Sequence, residues 1–283
     1  MIIIIVCMVL FGNLIILALA SAQGITISSE EDLFQLLDDP SEKGLIKTVI
    51  SINHIVTFIC GPLIFLMIYY RNKITTYLQL RHFNPTYLIL FPIALFSLYP
   101  LMGYLTFFIE QLDLPDFFNK MDKDAMETLS KLLKMDDGVD LFINLMIIGI
   151  LPGIGEELLF RGIIQKELAT KTQKPHIAIW ITAIVFSAFH FQLTGFLAKM
   201  MIGLVLGYAY HFSKSLILPM ILHTLNNSMA TISLYLVGSM PEMNPTSHDN
   251  VPLNIVVISS MIFVFTMIMI QRLDHPKIVA DES

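Results

Sequence analysis

Charge is what this chain has least of. Only 14% of its 283 residues are charged, against about 25% in soluble domains, which excludes an ordinary water-soluble globule. Cysteine is almost missing: Cys7 and Cys60 both fall inside apolar runs. Two such residues make no disulfide framework and no zinc spacing, and they read as small buried hydrophobes. Strict period-two alternation is absent, which disfavours a β-barrel. Neither a serine elbow nor an HExxH zinc motif occurs, and no nucleic-acid partner is expected.

Apolar sequence is what the chain has in plenty. Hydrophobic residues make up 55% of it and the mean hydropathy is +0.71. About 20 apolar residues cross the hydrocarbon core as a helix, and eight runs approach that length: 1–22, 48–70, 87–109, 141–160, 177–193, 195–212, 215–236 and 253–271. The fourth is expected to continue as helix to about residue 170. The expected fold is all-α, a polytopic helical membrane protein with about eight transmembrane helices and a polar intramembrane cavity.

Segments 24–47 and 110–140 hold fifteen of the 23 acidic residues, whereas connections near Arg71, Lys73, Arg81, Lys166, Lys171, Lys174, Lys214, Arg272 and Lys277 are mostly basic. Basic loops belong on the cytoplasmic side, so both termini are expected inside, with Lys199 and the lysines of 120–134 against the trend. Ala20-Ser21-Ala22 resembles a signal cleavage site, but no Lys or Arg precedes the apolar stretch. An uncleaved first span is expected, and a cleaved signal is the alternative. The chain reads as a single membrane domain, 1–283, with a core over 140–235 and an amphipathic extracytoplasmic segment over 110–140. Within that segment, 116–135 places Phe118, Met121, Leu129, Leu132 and Leu133 near one helical face. Residues 28–39 read as a short surface helix and 237–252 as an external connection.

Ionisable residues inside spans are costly and default to functional candidates. Glu156, Glu157 and Arg161 on the fourth span, His190 on the fifth, and His223 with Asn227 on the seventh qualify. Histidines 54, 82, 176, 211, 248 and 275 lie near span ends or in loops and receive no role. Glu157 and Arg161 are i and i+4, so they can meet on one face. Glu156 sits ~100° around the helix, which leaves two readings: a neutralised ion pair beside a spare carboxylate, or a brace with Glu156 as the working group. His223 and Asn227 are also i and i+4. Such a set can hydrolyse a peptide bond without a covalent intermediate. A carboxylate with an imidazole can hold and deprotonate a water; a second imidazole with an amide can stabilise an oxyanion. Ser187 and Ser228 read as serines satisfying backbone rather than as nucleophiles.

At these residues the sequence resembles the CPBP family, which includes CAAX prenyl endopeptidases and bacteriocin-processing or immunity proteins. Its pattern EExxxR, FxxxH, HxxxN is met by Glu156-Glu157-Leu158-Leu159-Phe160-Arg161, by Phe186 with His190, and by His223 with Asn227. The resemblance covers about residues 140–235. It implies a metal-independent intramembrane glutamate protease without cofactor. In that assignment Glu156 and His190 activate the water, His223 and Asn227 stabilise the oxyanion, and Glu157 and Arg161 support the site. A zinc-dependent version stays open, because zinc accepts both Glu and His.

The implied partners are membrane lipids and a peptide or protein substrate, lipid-anchored ones included. CAAX cleavage needs a prenylated cysteine near a C-terminus, and nothing in these residues reports a prenyl pocket. The expected location is a bacterial cytoplasmic membrane. The competing class is a non-proteolytic membrane scaffold or bacteriocin-immunity protein.

Overall fold

The structure is a computed structural model. It describes residues 43–237 and 251–274, with eight positions between 10 and 21. The expected first span therefore lies largely outside the described residues, as do segment 28–39 and most of 237–252. Among the described residues all regular structure is helical.

In chain order the main helices are α1 (Gly44–Tyr69), α2 (Tyr87–Glu110), α3 (Asp116–Leu132), α4 (Gly138–Thr172), α5 (Pro175–Ala188), α6 (Phe196–Ser213), α7 (Ile217–Val237) and α8 (Leu253–Asp274). Five of them, α1, α2, α4, α6 and α8, are long and apolar enough to cross a membrane. The chain is a multi-pass helical membrane protein. α7 has 21 residues, but His223, Asn226 and Asn227 dilute its apolar character.

The expected fifth span, 177–193, is cut short. α5 has 14 residues, about 21 Å at 1.5 Å per residue, against a hydrocarbon core of about 30 Å. The cause is local. The N–H groups of His190 and Phe191 turn back to the carbonyls of Ser187 and Ala188, three residues away, and Phe191 is left-handed at φ 50°. His190 thus stands in a turn beyond the helix. α4, by contrast, continues past Arg161 to Thr172 as its pattern predicts.

Several departures from α geometry have identifiable origins. Pro100 offers no N–H to the carbonyl four residues earlier, and α2 is interrupted at Leu98. α1 carries a π turn at Ile55–Cys60, and α4 carries two, at Leu145–Ile150 and Phe160–Gln165. π turns inside helices are frequent at functional sites. Asp137 caps α4, its Oδ1 accepting from the N–H groups of Val139 and Asp140 at 2.9 Å each.

The chain divides into two compact units. The first gathers Met1–Leu78, Lys123–Ile163 and His223–Glu242; the second gathers Gln79–Asp122, Ile164–Leu222 and Met243–Ser283. In lipid no hydrophobic force drives helices together, so small residues that permit close approach do the work. In the second unit Gly203 and Gly207 of α6, a GxxxG pair, lie against α5. A Cβ on Gly203 would stand 3.2 Å from Ala183 and Phe186, and one on Gly207 would stand 2.8 Å from Ile179. In the same unit Phe91 and Leu95 of α2, Leu206 and Ala209 of α6, Leu222 of α7 and Ile270 of α8 form a buried core. In the first unit the buried Lys47 of α1 bonds Asp140 of α4 at 3.1 Å.

Candidate active site

A second GxxxG pair builds the polar cluster of the first unit. Gly149, Gly153, Glu157 and Arg161 recur every four residues along α4. A Cβ on Gly149 would meet Ser228 Oγ at 2.7 Å, and one on Gly153 would meet Thr224 Oγ1 at 2.2 Å and Thr224 N at 2.8 Å. The numbers rise on α4 as they fall on α7, so the two helices run antiparallel. One turn further along, Glu157 comes level with His223.

There Glu157 Oε1 accepts two bonds. Arg161 Nη1 donates from 2.6 Å and His223 Nδ1 from 2.8 Å. Glu157 and Arg161 are fully buried. The expected i, i+4 ion pair is therefore present, and Glu157 also orients the imidazole on the neighbouring helix. With Nδ1 committed to Glu157, His223 turns Nε2 toward Glu156, whose Oε2 lies 3.9 Å away. That Oε2 is buried and has no hydrogen-bond partner within the protein.

Asn227 has structural work as well. Pro152 supplies no N–H to the carbonyl four residues before it, that of Ile148, and Asn227 Nδ2 donates to that oxygen at 3.2 Å. Its Oδ1 accepts from Asn226 at 3.1 Å. One Nδ2 hydrogen of Asn227 is committed in this way, and the amide carries a second.

His190 belongs to the second unit. The four-residue spacing from Phe186 acts twice. His190 Nδ1 donates to the Phe186 carbonyl at 2.9 Å, and its ring packs edge-on against the Phe186 ring, centroids 4.9 Å apart. The lone pair is left on Nε2. Ser187 Oγ donates to the Phe196 carbonyl at 2.5 Å, so this serine serves the backbone.

Two residues join the picture that the sequence pattern passed over. Asp122 of the amphipathic α3 is buried, and its two oxygens accept from the N–H groups of Leu193 and Thr194 at 2.7 and 2.9 Å. It fastens the loop that bears His190, while Lys199 bonds Gln192 in the same loop. The other is His54 of α1. Its ring stacks on Phe58, centroids 4.6 Å apart, and its buried Nε2 has no partner. That nitrogen lies 3.0 Å from where a Cβ on Gly155 would be, and the ring is within electrostatic range of His223. A His–Phe pair at i, i+4 in an apolar run was the available signal for His54. For Asp122 there was none, since acidic residues crowd its whole segment.

Among the described residues no group of three or more His, Cys, Asp or Glu is placed to hold a metal ion.

Buried carboxylates and imidazoles on membrane helices mark a functional site. Residues 138–229 match the family described as type II CAAX prenyl endopeptidase Rce1-like. The description is that of an endopeptidase family, and this segment of the chain is similar to it. The match starts with α4 and ends just past Asn227, so it contains every motif residue named above. No curated protein and no solved structure matches the chain.

Proposed function

We propose that the chain is a metal-independent intramembrane endopeptidase in which Glu156 activates the attacking water. The observation that carries this reading is the situation of Glu156 Oε2, buried, unpartnered and 3.9 Å from His223 Nε2. A water about 2.8 Å from both atoms would meet them at roughly a right angle, within ordinary hydrogen-bond geometry. Glu156 takes a proton from this water as its oxygen bonds to the scissile carbonyl carbon. The carbonyl oxygen becomes the oxyanion, and Glu156 then returns the proton to the departing amine. The C–N bond breaks, leaving a carboxylate and an amine.

The hydrogen-bond pattern suits the two histidines to different roles. His190 donates through Nδ1 to a carbonyl, which makes its Nε2 an acceptor, the form that a water-activating imidazole needs. His223 is oriented through Nδ1 by Glu157, and as the water attacks, its Nε2 turns from the water to donate to the oxyanion. The second hydrogen of Asn227 Nδ2 adds to that donation, and Glu157 with Arg161 holds His223 in register.

The substrate we infer is a membrane-associated peptide, with lipid-anchored ones entering sideways from the bilayer. The matched family's description names a prenyl CAAX endopeptidase, and a prenylated C-terminal peptide is one member of this class. The basic connections between helices support a cytoplasmic face at that end, and the membrane we infer is a bacterial cytoplasmic one. Purified protein in detergent, given quenched peptides with and without a lipid anchor, tests the reading. Cleavage should occur, faster for the anchored peptide, and Glu156→Gln should lower kcat by about 10²–10⁴. Full turnover by Glu156→Gln would overturn the glutamate mechanism, and no cleavage of any peptide would favour a scaffold or immunity protein.

A further inference from the structure

Wholly within the second unit, the ends of α4, α5 and α6 surround a cavity of about 370 Å³. That lies in the range of small-ligand sites, about 300–1,000 Å³. Lys166, Lys214 and His211 line it, and its described lining contains no carboxylate. Glu167 and Asp274 are near enough to act on Lys166 and His211 but are not in the wall.

A third cation is fixed nearby. Arg81 Nε donates to the Lys214 carbonyl at 2.7 Å, and Ser215 Oγ donates to the Arg81 carbonyl at 2.6 Å. The Arg81 charge is within range of both Lys166 and Tyr210. Tyr210 and Gln165 line the cavity, and their Oη and Oε1 atoms are buried with no hydrogen-bond partner.

The backbone gives an independent sign. Gln79, Gln173 and Lys214 adopt left-handed φ values of 54°, 56° and 54°, and all three line this cavity. Gln173 and Lys214 cap the C-termini of α4 and α6, where glycine takes that conformation without the Cβ penalty. Long polar side chains therefore occupy strained positions around one cavity, and such strain concentrates at ligand clamps.

We propose that this cavity binds a phosphate ester carrying hydroxyl groups, the chemistry of a glycerophosphate. Lys166, Lys214 and Arg81 meet the phosphate charge, Tyr210 Oη can donate to it, and Gln165 Oε1 accepts from a hydroxyl. A lipid headgroup and a soluble phosphate ester share this chemistry. Basic pockets between helices at the cytoplasmic end of a membrane bundle take anionic headgroups.

The full chain, purified in a neutral detergent, can be titrated by calorimetry with short-chain phosphatidylglycerol, short-chain phosphatidylcholine, glycerol 3-phosphate and inorganic phosphate. Phosphatidylglycerol should bind, phosphatidylcholine should not, and added salt should weaken the binding. Lys214→Gly is the decisive variant, because glycine relieves the left-handed strain while removing the charge. It should melt no lower than wild type yet bind about 5-fold more weakly, and adding Lys166→Gln should bring the loss to ~30-fold. Tyr210→Phe, which removes an unpartnered hydroxyl, should also weaken binding without lowering the melting temperature. Glycerol 3-phosphate binding as tightly as phosphatidylglycerol would support a phosphate site filled from solution. Equal affinity for phosphatidylcholine, or unchanged affinity in the folded Lys214→Gly and Tyr210→Phe variants, would overturn the proposal.

Discussion

Gly153 and Thr224 approach so closely that a Cβ on the glycine would stand 2.2 Å from the threonine hydroxyl oxygen. The contact sets how near α4 lies to α7 and hence whether Glu157 can reach His223. Gly153→Ala should destabilise the protein by about 1–3 kcal/mol, the usual cost of overpacking, seen as a lower melting temperature in detergent. Adding Thr224→Ala should recover only part of the loss, because Thr224 N would still stand 2.8 Å from the new methyl group. Complete recovery would mean that the side chain alone sets the separation.

The two neighbouring glutamates should separate stability from chemistry. Glu157→Gln leaves Arg161 and His223 with a neutral partner in a buried site. Breaking such a pair costs about 3–5 kcal/mol, so the melting temperature should fall first and activity with it. Glu156→Gln should melt close to wild type and fail to cleave. Melting curves and single-turnover assays on both variants check the pattern, and equal melting temperatures would dissolve the distinction.

Asp122 should act through the loop that carries His190. Its carboxylate holds two backbone N–H groups, and bonds to a charged group are each worth about 1.5–3 kcal/mol. Asp122→Ala should therefore lower kcat while leaving KM nearly unchanged, and backbone hydrogen exchange at 191–195 should speed up. Asp122→Glu, which keeps the charge, should restore part of the activity. Slow exchange in the alanine variant would remove the loop-positioning role.

A double-mutant cycle can divide the two duties of Asn227. With Pro152 present, Asn227→Ala leaves the Ile148 carbonyl short of a donor, at a cost of about 1–3 kcal/mol. In a Pro152→Ala background the helix supplies its own N–H, and the same substitution should cost little stability. The loss of cleavage should persist in both backgrounds if the second Nδ2 hydrogen serves the oxyanion. Recovery of full activity in the double variant would make the role of Asn227 purely structural.

Chelation bears on the zinc alternative. Activity should be unchanged after treatment with EDTA or 1,10-phenanthroline, and elemental analysis of the active protein should find no stoichiometric zinc. Loss on chelation with rescue by added zinc would reverse this expectation.

Much of the site was legible because helical spacing converts directly into proximity. Glu157 with Arg161, and Phe186 with His190, each stand four apart in sequence and touch in the structure. The link from Glu157 to His223 was not legible, since it joins residues 66 apart and depends on glycines that look like ordinary apolar filler. Hydropathy recognised five long helices but overran the end of α5. Phe189 and Phe191 continue the apolar run after the hydrogen bonding has turned back. His54 escaped notice because it was assigned to the edge of a span; it lies well inside α1, which begins at Gly44.

The π turn at Phe160–Gln165 lies where α4 passes from one compact unit to the other, between Ile163 and Ile164. A π turn holds one residue more than the α turn it replaces, and one residue is about 100° of rotation. The extra residue works like an offset in a keyway: it resets the phase at which Gln165 leaves the helix, and Gln165 bonds the Gly207 carbonyl at 3.0 Å. Deleting one residue there should cost that bond and lower the melting temperature.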